Sequence, residues 1–183
     1  MKKLVEGKDT LLAMMKQLLI FQNLSEAHLQ ELFNYCTFLE YDGDETIVTQ
    51  DTLSPYLYGI LSGKVNVSMR SKENRDVRIN VVNCGDVFGE AAIFIDMKRT
   101  AKVTADGDVK LVSISREKLI AFLYRFPDAG IKILIFVIFS LLHKLKRSSG
   151  DLVFEKESTV SAEDLEILKT FFPPTIEEVI ERR

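Results

Sequence analysis

The segment CGDVFGEAAIFIDMKRTAKVTA, residues 84–105, is the most informative part of this chain. Gly89 lets the backbone approach a ligand closely. The backbone amides of residues 90–93 open a helical turn, where an anion is favoured. Arg99 can bind phosphate oxygens through its planar guanidinium group, and Glu90 can accept hydrogen bonds from sugar hydroxyls. These residue types predict a site for a sugar phosphate rather than for a metal ion, although alone they also fit a surface ion pair.

The sequence around this segment has the periodicity of β-strands. KVNVSMR (64–70) and VRINVV (77–82) alternate apolar with polar residues and are joined by the polar SKENRD, which predicts a hairpin with one buried face. Further short strands are predicted at 46–50, 56–61, 101–105 and 109–114. Short strands at this spacing predict an antiparallel sandwich or barrel.

Helical periodicity flanks the strands on both sides. Residues 1–40 are predicted to form N-terminal helices, one of them capped by Ser25. The central unit is predicted to span 41–147 and to end in a long helix at about 129–147. The remaining residues, 148–183, are predicted to form an acidic tail with two short helices, because 151–183 hold nine acidic and four basic residues.

Composition and charge exclude several classes of protein. With 46% hydrophobic and 28% charged residues, the chain is typical of a globular protein. The net charge of −3 does not favour nonspecific adhesion to nucleic acid. The apolar run at 131–145 is too short to span a membrane, and no secretion signal is found, so a cytoplasmic protein is expected. With only two histidines, His28 and His143, and no catalytic motif, neither a metal centre nor an enzyme is expected.

Residues 84–105 resemble the phosphate-binding cassette of the cyclic nucleotide-binding domain family. That pattern is Phe-Gly-Glu, a few apolar residues, then an arginine nine or ten positions after the glutamate, small residues and a valine strand. Matching positions are Phe88, Gly89, Glu90, Arg99, Ala101 and Val103, preceded by Gly85 and Asp86. The stretch 56–67 resembles the central hairpin of the family, and the resemblance spans roughly 18–147. In two departures, Ala91 replaces a commoner leucine and the loop 50–55 lacks the usual glycines.

The resemblance implies an α+β fold, an antiparallel, jelly-roll-like β-roll flanked by N-terminal helices and a long C-terminal helix. Arg99 would neutralise the cyclic phosphate, and Glu90 would hold the ribose 2′-hydroxyl. The long helix would cover the base near Lys144 and Leu145. cAMP is the first ligand expected; cGMP stays open, because Thr100 could face the 2-amino group of guanine. The implied ligand-binding residues are Phe88, Gly89, Glu90, Ala91, Ala92, Arg99, Thr100 and Ala101.

The function predicted is that of a regulatory sensor in signal transduction, without catalytic activity or a cofactor. It resembles the catabolite-activator (CRP-like) group and is expected to form a homodimer through the helix at 129–147. Only 36 residues follow Arg147, and they are acidic and interrupted by prolines, so direct DNA binding is not expected. The alternative is a degenerate domain that binds no ligand and serves as a dimeric adaptor. The acidic tail either docks on a protein partner or folds back on the roll.

Overall fold

A computed structural model describes residues 1–71, 73–95 and 97–149, without the side chains of residues 143 and 145–149. The predicted acidic tail and its two short helices lie outside these residues from position 150 onward. The strands are β1 (Lys2–Lys3), β2 (Thr37–Tyr41), β3 (Thr46–Val48), β4 (Tyr56–Arg70), β5 (Asp76–Asn83), β6 (Val87–Phe88) and β7 (Lys102–Ser115). The helices are α1 (Lys8–Lys16), a 3₁₀ turn (Leu19–Phe21), α2 (Glu26–Phe33), α3 (Ala91–Phe94), α4 (Arg116–Arg125) and α5 (Pro127–Ser149).

The strands form one antiparallel roll. Their order is β1-β2-β7-β4-β5, with β3 also on β7 and β6 also on β4. Every pairing between the described strands is antiparallel. The helices lie before β2 or after β7 in the chain, apart from the short α3. The predicted α+β fold with an antiparallel β-roll is therefore confirmed.

Two long strands replace four predicted short ones. The segments 56–61 and 64–70 are parts of β4, and 101–105 and 109–114 belong largely to β7. The pairing of β4 with β7 shifts register twice between Ile60 and Lys64. Such irregularities bend a strand and increase its twist. Each long strand thus contributes to both ends of the roll.

The hairpin of β4 and β5 corrects a second expectation, since only its inner part has a buried face. Val65 and Val82 are opposite each other and buried, whereas Val77 and Ile79 are 50% and 54% exposed. Val67 pairs with Asn80, but the next residue of β4 pairs with Arg78. Ile79 is therefore an extra residue, which forms a β-bulge. Because of this bulge, the alternation of inward-facing and outward-facing side chains shifts by one residue at this point. Simple alternation cannot predict such a reversal.

The N-terminal helices end earlier than the predicted boundary at residue 40. Helix α2 begins after Ser25, whose hydroxyl accepts a hydrogen bond from the backbone N–H of His28 at 3.2 Å, as the capping pattern predicted. It ends at Phe33, and Thr37–Tyr41 already forms a strand because these residues pair with β7. Lys2–Lys3 pairs in turn with β2. The first forty residues are thus tied to the roll by strands as well as by helices.

Helix α5 closes the described part of the chain and has two apolar faces. It begins at Pro127, a residue suited to the first helical position. One face is buried in the core shared with the N-terminal helices, and it includes Ile133, Phe136 and Val137. The other face leaves Ile131, Ile138 and Leu142 between 56% and 60% exposed. Among the described residues, no helix combines the length and apolarity needed to cross a membrane.

Candidate functional site

The cassette begins on β6, a two-residue strand held against β4. Phe88 pairs with Tyr58 in the sheet, and their rings stack with centroids 4.9 Å apart. Both side chains are buried. Aromatic stacking of this kind stabilises the fold by about 1 kcal/mol beyond the contribution of the buried area. The position of the following residues is therefore fixed by the core of the roll.

Gly89 lies in the left-handed backbone region, with φ of +86°, and packs directly against Arg99. A Cβ atom at Gly89 would lie 2.5 Å from Arg99 Nη1 and 2.8 Å from the carbonyl oxygen of Tyr56. No side chain fits at these distances without displacing its neighbours. Glycine is thus needed both for the turn and for the close approach of the guanidinium group.

Arg99 is a buried cation, with only 7% of its surface exposed. Its Nη2 donates a hydrogen bond to the carbonyl oxygen of Tyr56 at 2.6 Å, and its guanidinium carbon lies 5.9 Å from the centroid of the Tyr58 ring. Its Nε is buried without a hydrogen-bond partner. Burial lowers the pKa of Arg99, against the opposing effects of Tyr58 and Glu90. A buried cation with an unfilled donor is able to bind an anion strongly.

The loop 50–55 holds the backbone of Arg99 from the other side. The N–H of Arg99 donates to the carbonyl oxygen of Thr52, and the N–H of Asp51 donates to the carbonyl oxygen of Arg99, both at 2.8 Å. Asp51 has φ of +65°, a conformation that glycine usually provides. Aspartate tolerates it better than most residues. The missing glycines of this loop are thus compensated by Asp51.

Arg116 fixes the far end of the cassette and was not identified from the sequence. Its Nη2 donates to the carbonyl oxygens of Ala92 and Ile95, at 2.7 and 2.9 Å. These carbonyls lie in α3 and at its C-terminal end, where orphaned acceptors need partners. One signal was available: Arg116 opens α4, where the helix dipole disfavours a cation. A basic residue at this position indicates that another group needs its charge.

Glu90 is joined to the C-terminal helix by an ion pair. Its side chain is 6% exposed, and its Oε1 accepts a hydrogen bond from Nζ of Lys144 on α5. Lys144 was expected to lie near the base of a bound nucleotide, whereas in the structure its ammonium group contacts the carboxylate of Glu90. The side chain of Leu145, named with it, lies outside the described part of the chain. Through Lys144, the helix and the cassette share one charged contact.

These residues surround one cavity of about 320 Å³. All eight residues that the sequence singled out line it: Phe88, Gly89, Glu90, Ala91, Ala92, Arg99, Thr100 and Ala101. The structure adds residues from other strands and from α5: Val48, Val67, Ile79, Asn80, Val82, Met97, Lys98, Val103, Leu141 and Lys144. Within the described ranges, no cluster of three or more His, Cys, Asp or Glu residues could hold a metal ion. The cavity can therefore bind an anionic group at Arg99 and an apolar body along its valine wall.

Asp86 is a buried carboxylate beside this cavity, with 7% of its surface exposed. One of its oxygens has no hydrogen-bond partner. Burial raises the pKa of Asp86 to about 6, while the positive charge of Lys144 acts in the opposite direction. The charge of Asp86 is thus destabilising in the folded protein and is partly offset by α5.

Asp86→Asn is expected to raise the free energy of unfolding at neutral pH, with a gain that shrinks on acidification. Because the folded-state pKa lies above the ordinary value of 3.8, the folded protein binds the proton more tightly than the unfolded chain. The destabilisation is complete above the folded pKa of about 6 and shrinks as the pH falls from there towards the ordinary value of 3.8. Urea unfolding of both proteins across this range measures the difference. Asp108→Asn, at an exposed residue of β7, is the control, and a gain independent of pH would contradict the prediction.

The fold and the cavity define a class of protein, and comparison with known families agrees with it. Residues 38–125 match the family model described as "Cyclic nucleotide-binding domain". These residues, just under half of the chain, form a domain of the cyclic nucleotide-binding domain family.

Individual relatives are similar over this region. A "CRP-like cAMP-activated global transcriptional regulator" of Mycobacterium tuberculosis is 26% identical over 135 residues, 74% of this chain and 60% of that protein. The "cGMP-dependent protein kinase egl-4" of Caenorhabditis elegans is 31% identical over 62% of this chain and 15% of the kinase. The crystal structure of a cyclic nucleotide-binding domain from Methylobacillus flagellatus has a TM-score of 0.65 at 25% identity, covering 79% of this chain and 86% of that domain. The chain thus spans 60% of the first curated relative and 15% of the second, less than two thirds of either.

Proposed function

We propose that this chain is a regulatory sensor that binds a cyclic nucleotide, cAMP in the first place, and has no catalytic activity of its own. The observation that carries the proposal is Arg99. Its guanidinium group is buried beside the cavity, closely packed on Gly89, and one of its donors is unfilled. A singly charged cyclic phosphate would supply the missing negative charge and acceptors. We also propose a cytoplasmic location, as the sequence predicts.

The remaining cassette residues suit the other parts of such a ligand. The residues from Gly89 to Ala92, together with Thr100 and Ala101, line the same cavity as Arg99, and their backbone amides are the proposed donors to phosphate oxygens. Glu90 uses Oε1 for Lys144, which leaves Oε2 to accept a hydrogen bond from the ribose 2′-hydroxyl. This contact favours ribonucleotides over deoxyribonucleotides.

The preference between adenine and guanine is proposed from the residues that line the cavity. Thr100 lines the cavity and keeps cGMP open as a ligand, since its hydroxyl can face a 2-amino group. The cAMP-activated relative from M. tuberculosis and the cGMP-dependent kinase relatives are similar to this chain to a comparable degree. We place cAMP first because adenine carries fewer polar groups than guanine, and the rest of the base-side wall is largely apolar.

We propose that the signal passes from the ligand to α5 through the ion pair of Glu90 and Lys144. Glu90 would bind the sugar with one oxygen and the helix with the other. A ligand that engages Glu90 therefore changes the free energy of the contact with Lys144, and with it the position of α5. This direct link supports repositioning of the cassette and helix as the output of binding.

Lys144→Gln tests this link, and the expected result is a several-fold loss of cAMP affinity that is absent for 2′-deoxy-cAMP. Lys144 orients and charge-balances Glu90, so its removal weakens only ligands that use Glu90. The difference is measured by calorimetric titration of both proteins with both nucleotides, as a double cycle. Lys132→Gln, a change in the same helix at a lysine that bonds the carbonyl of Asn23, is the control. An equal loss for both nucleotides would contradict the link.

The experiment that tests the proposed function is titration of ligand-stripped protein with cAMP, cGMP and 5′-AMP. Binding of a cyclic nucleotide but not of 5′-AMP supports the sensor, because the linear phosphate carries an extra charge and a different geometry. The ratio of the cAMP and cGMP affinities then measures the contribution of Thr100, with Thr100→Ala as its partner variant. Absence of binding to all three, together with no thermal shift, would refute the proposal. It would favour the alternative, a degenerate domain that acts as an adaptor.

We further propose a homodimer through the exposed apolar face of α5. Ile131, Ile138 and Leu142 follow one another at spacings of seven and four residues, which places them on one side of the helix. All three are exposed in the single chain. Pairing the same face of two copies across a two-fold axis would bury them. Direct DNA binding is not proposed, and the acidic residues from 151 onward stay a candidate contact for a protein partner.

The double variant Ile138→Glu and Leu142→Glu is expected to be monomeric. Charged residues at the centre of a paired helix face cannot be buried without a large loss of solvation. Light scattering coupled to size exclusion, over a range of protein concentrations, measures the mass. Tyr124→Glu, an equally drastic change at an 84% exposed residue of α4, is expected to keep the mass of the parent. An unchanged mass in the double variant would exclude this face as the interface.

A further inference from the structure

The bulge in β5 places two consecutive side chains on the same wall of the cavity. Both Ile79 and Asn80 line it, although neighbouring residues of a regular strand point to opposite faces. The cause is the register shift after the pair Val67–Asn80, which makes Ile79 the extra residue. Bulges are known to redirect side chains next to functional sites. An apolar side chain and an amide thus stand side by side at this point.

Asn80 ends a row of inward-facing residues that crosses four strands. Val48 pairs with Val103, Val103 with Val67, and Val67 with Asn80, and all four line the cavity. The row is apolar until its last member. Two strand spacings, roughly 10 Å, separate Asn80 from the strand that follows Arg99. A mononucleotide whose phosphate lies at Arg99 can extend along the valines and reach Asn80 with the far edge of its base.

The Asn80 side chain has no hydrogen-bond partner within the part of the chain that the structure describes. It is half-buried in a wall that is otherwise formed by valines and an isoleucine. An amide in such surroundings loses solvation unless a partner is supplied. Ile79 beside it is 54% exposed although it is strongly apolar. A flat ring with a polar edge, bound in the cavity, would cover the Ile79 side chain and supply a hydrogen-bond partner for the Asn80 amide.

We infer that Ile79 and Asn80 together recognise the purine, with Ile79 against the face of the ring and Asn80 on its edge, and that Asn80 selects adenine. The inference rests on the proposed function and names the residue that sets its base preference. The Asn80 oxygen accepts from the 6-amino group of adenine while its amide nitrogen donates to N7. Guanine presents two acceptors at that edge, so the Asn80 oxygen would face O6 unpaired.

The test compares cAMP with purine riboside 3′,5′-cyclic monophosphate, which lacks only the 6-amino group, and with cGMP. The parent protein is expected to bind cAMP about tenfold more tightly than the deaminated analogue, because the analogue loses the 6-amino contact and leaves the Asn80 oxygen without a partner. Asn80→Ala is expected to bind the two nucleotides equally, and to bind each of them more weakly than the parent does, because the contact to N7 is lost as well. Asn80→Leu is a second variant that keeps the volume of the side chain in an apolar wall, so folding is retained.

Asn83→Ala is the matched control, because Asn83 lies on the same strand but does not line the cavity. It should keep the preference of the parent for cAMP over the analogue. Two results would overturn the role of Asn80 alone: a parent that does not distinguish the two nucleotides, or Asn80 variants that keep the parental ratio. A parental preference for cGMP that survives in the Asn80 variants would overturn it as well. If the parent binds no cyclic nucleotide, the proposed function fails, and the role of Asn80 fails with it.

Discussion

Arg99→Ala is expected to lower the affinity for cAMP by about 3 to 5 kcal/mol, a factor of roughly 100 to 5,000. The reason is the burial of its guanidinium group, which has 7% of its surface exposed and an Nε without a partner. A phosphate at this place would exchange water for charge-assisted hydrogen bonds to the planar guanidinium group, and these bonds are lost in the variant. Calorimetric titration of the parent and the variant measures the loss.

Arg99 is also expected to destabilise the ligand-free protein. Arg99→Met, which keeps much of the side-chain volume, should raise the free energy of unfolding by about 1 kcal/mol, because a buried cation loses its hydration. Urea unfolding of ligand-stripped protein measures this change. A variant that is more stable and yet cannot bind separates a binding role from a structural one. Residues kept for function at the cost of stability behave in this way.

Two further variants sharpen the test of Arg99. Arg99→Lys keeps the charge but loses the planar fork, so an intermediate affinity is expected. Arg78→Ala, at an exposed arginine of β5, should bind as the parent does. Equal binding by Arg99→Ala and the parent would remove Arg99 from the site. If Arg99→Met were strongly destabilised, the residue would have to be assigned a structural role.

Gly89→Ala is expected to have the second largest effect, on both binding and stability. The new Cβ would lie 2.5 Å from Arg99 Nη1 and 2.8 Å from the carbonyl oxygen of Tyr56, at a residue with φ of +86°. The left-handed conformation alone costs a side chain about 1 kcal/mol. Displacement of the guanidinium group adds to this, and together they should destabilise the protein by about 2 to 4 kcal/mol. Affinity for cAMP should fall by about a hundredfold or more, because Arg99 moves from its position.

Gly107→Ala separates the two causes. Gly107 has φ of +77°, close to that of Gly89, but a Cβ there would meet nothing within 4 Å. This variant should lose only the free energy of unfolding that corresponds to the left-handed conformation, about 1 kcal/mol, and should bind cAMP as the parent does. Thermal unfolding and titration of both variants measure the contrast. Equal losses of stability and affinity in the two variants would contradict the close contact of Gly89 with Arg99.

The residues of the predicted cassette can be named from the sequence because they lie close together in the chain. Phe88, Gly89 and Glu90 are consecutive, and Arg99 follows nine positions later, so one short motif contains both of the proposed binding groups. The structure places all eight predicted residues around one cavity. The strand periodicity likewise indicated an antiparallel roll, since alternation reports which strands have one face inward. The ligand that these residues bind stays a prediction until the titration is made.

Other features depend on residues that are distant in sequence. Lys144 follows Glu90 by 54 positions and meets it only because α5 packs across the cassette. Arg116 reaches back to Ala92 and Ile95 for a similar reason. Asp51 adopts a positive φ, which glycine usually provides, in a loop whose backbone is hydrogen-bonded to the backbone of Arg99. Apart from the unfavourable position of Arg116 at the start of α4, these contacts have no pattern of their own in the chain.

The sequence by itself determined the class of fold, the antiparallel strands and the identity of the cassette residues, because each depends on local periodicity or on a short motif. Only the tertiary structure decided where β5 bulges, and hence that Ile79 and Asn80 face the cavity together. Only the packing of α5 decided which of its apolar residues stay exposed and that its lysine reaches Glu90. The physical reason is that register and helix packing are set by the sum of many distant contacts, whereas hydrophobic alternation and a phosphate-binding motif are properties of neighbouring residues.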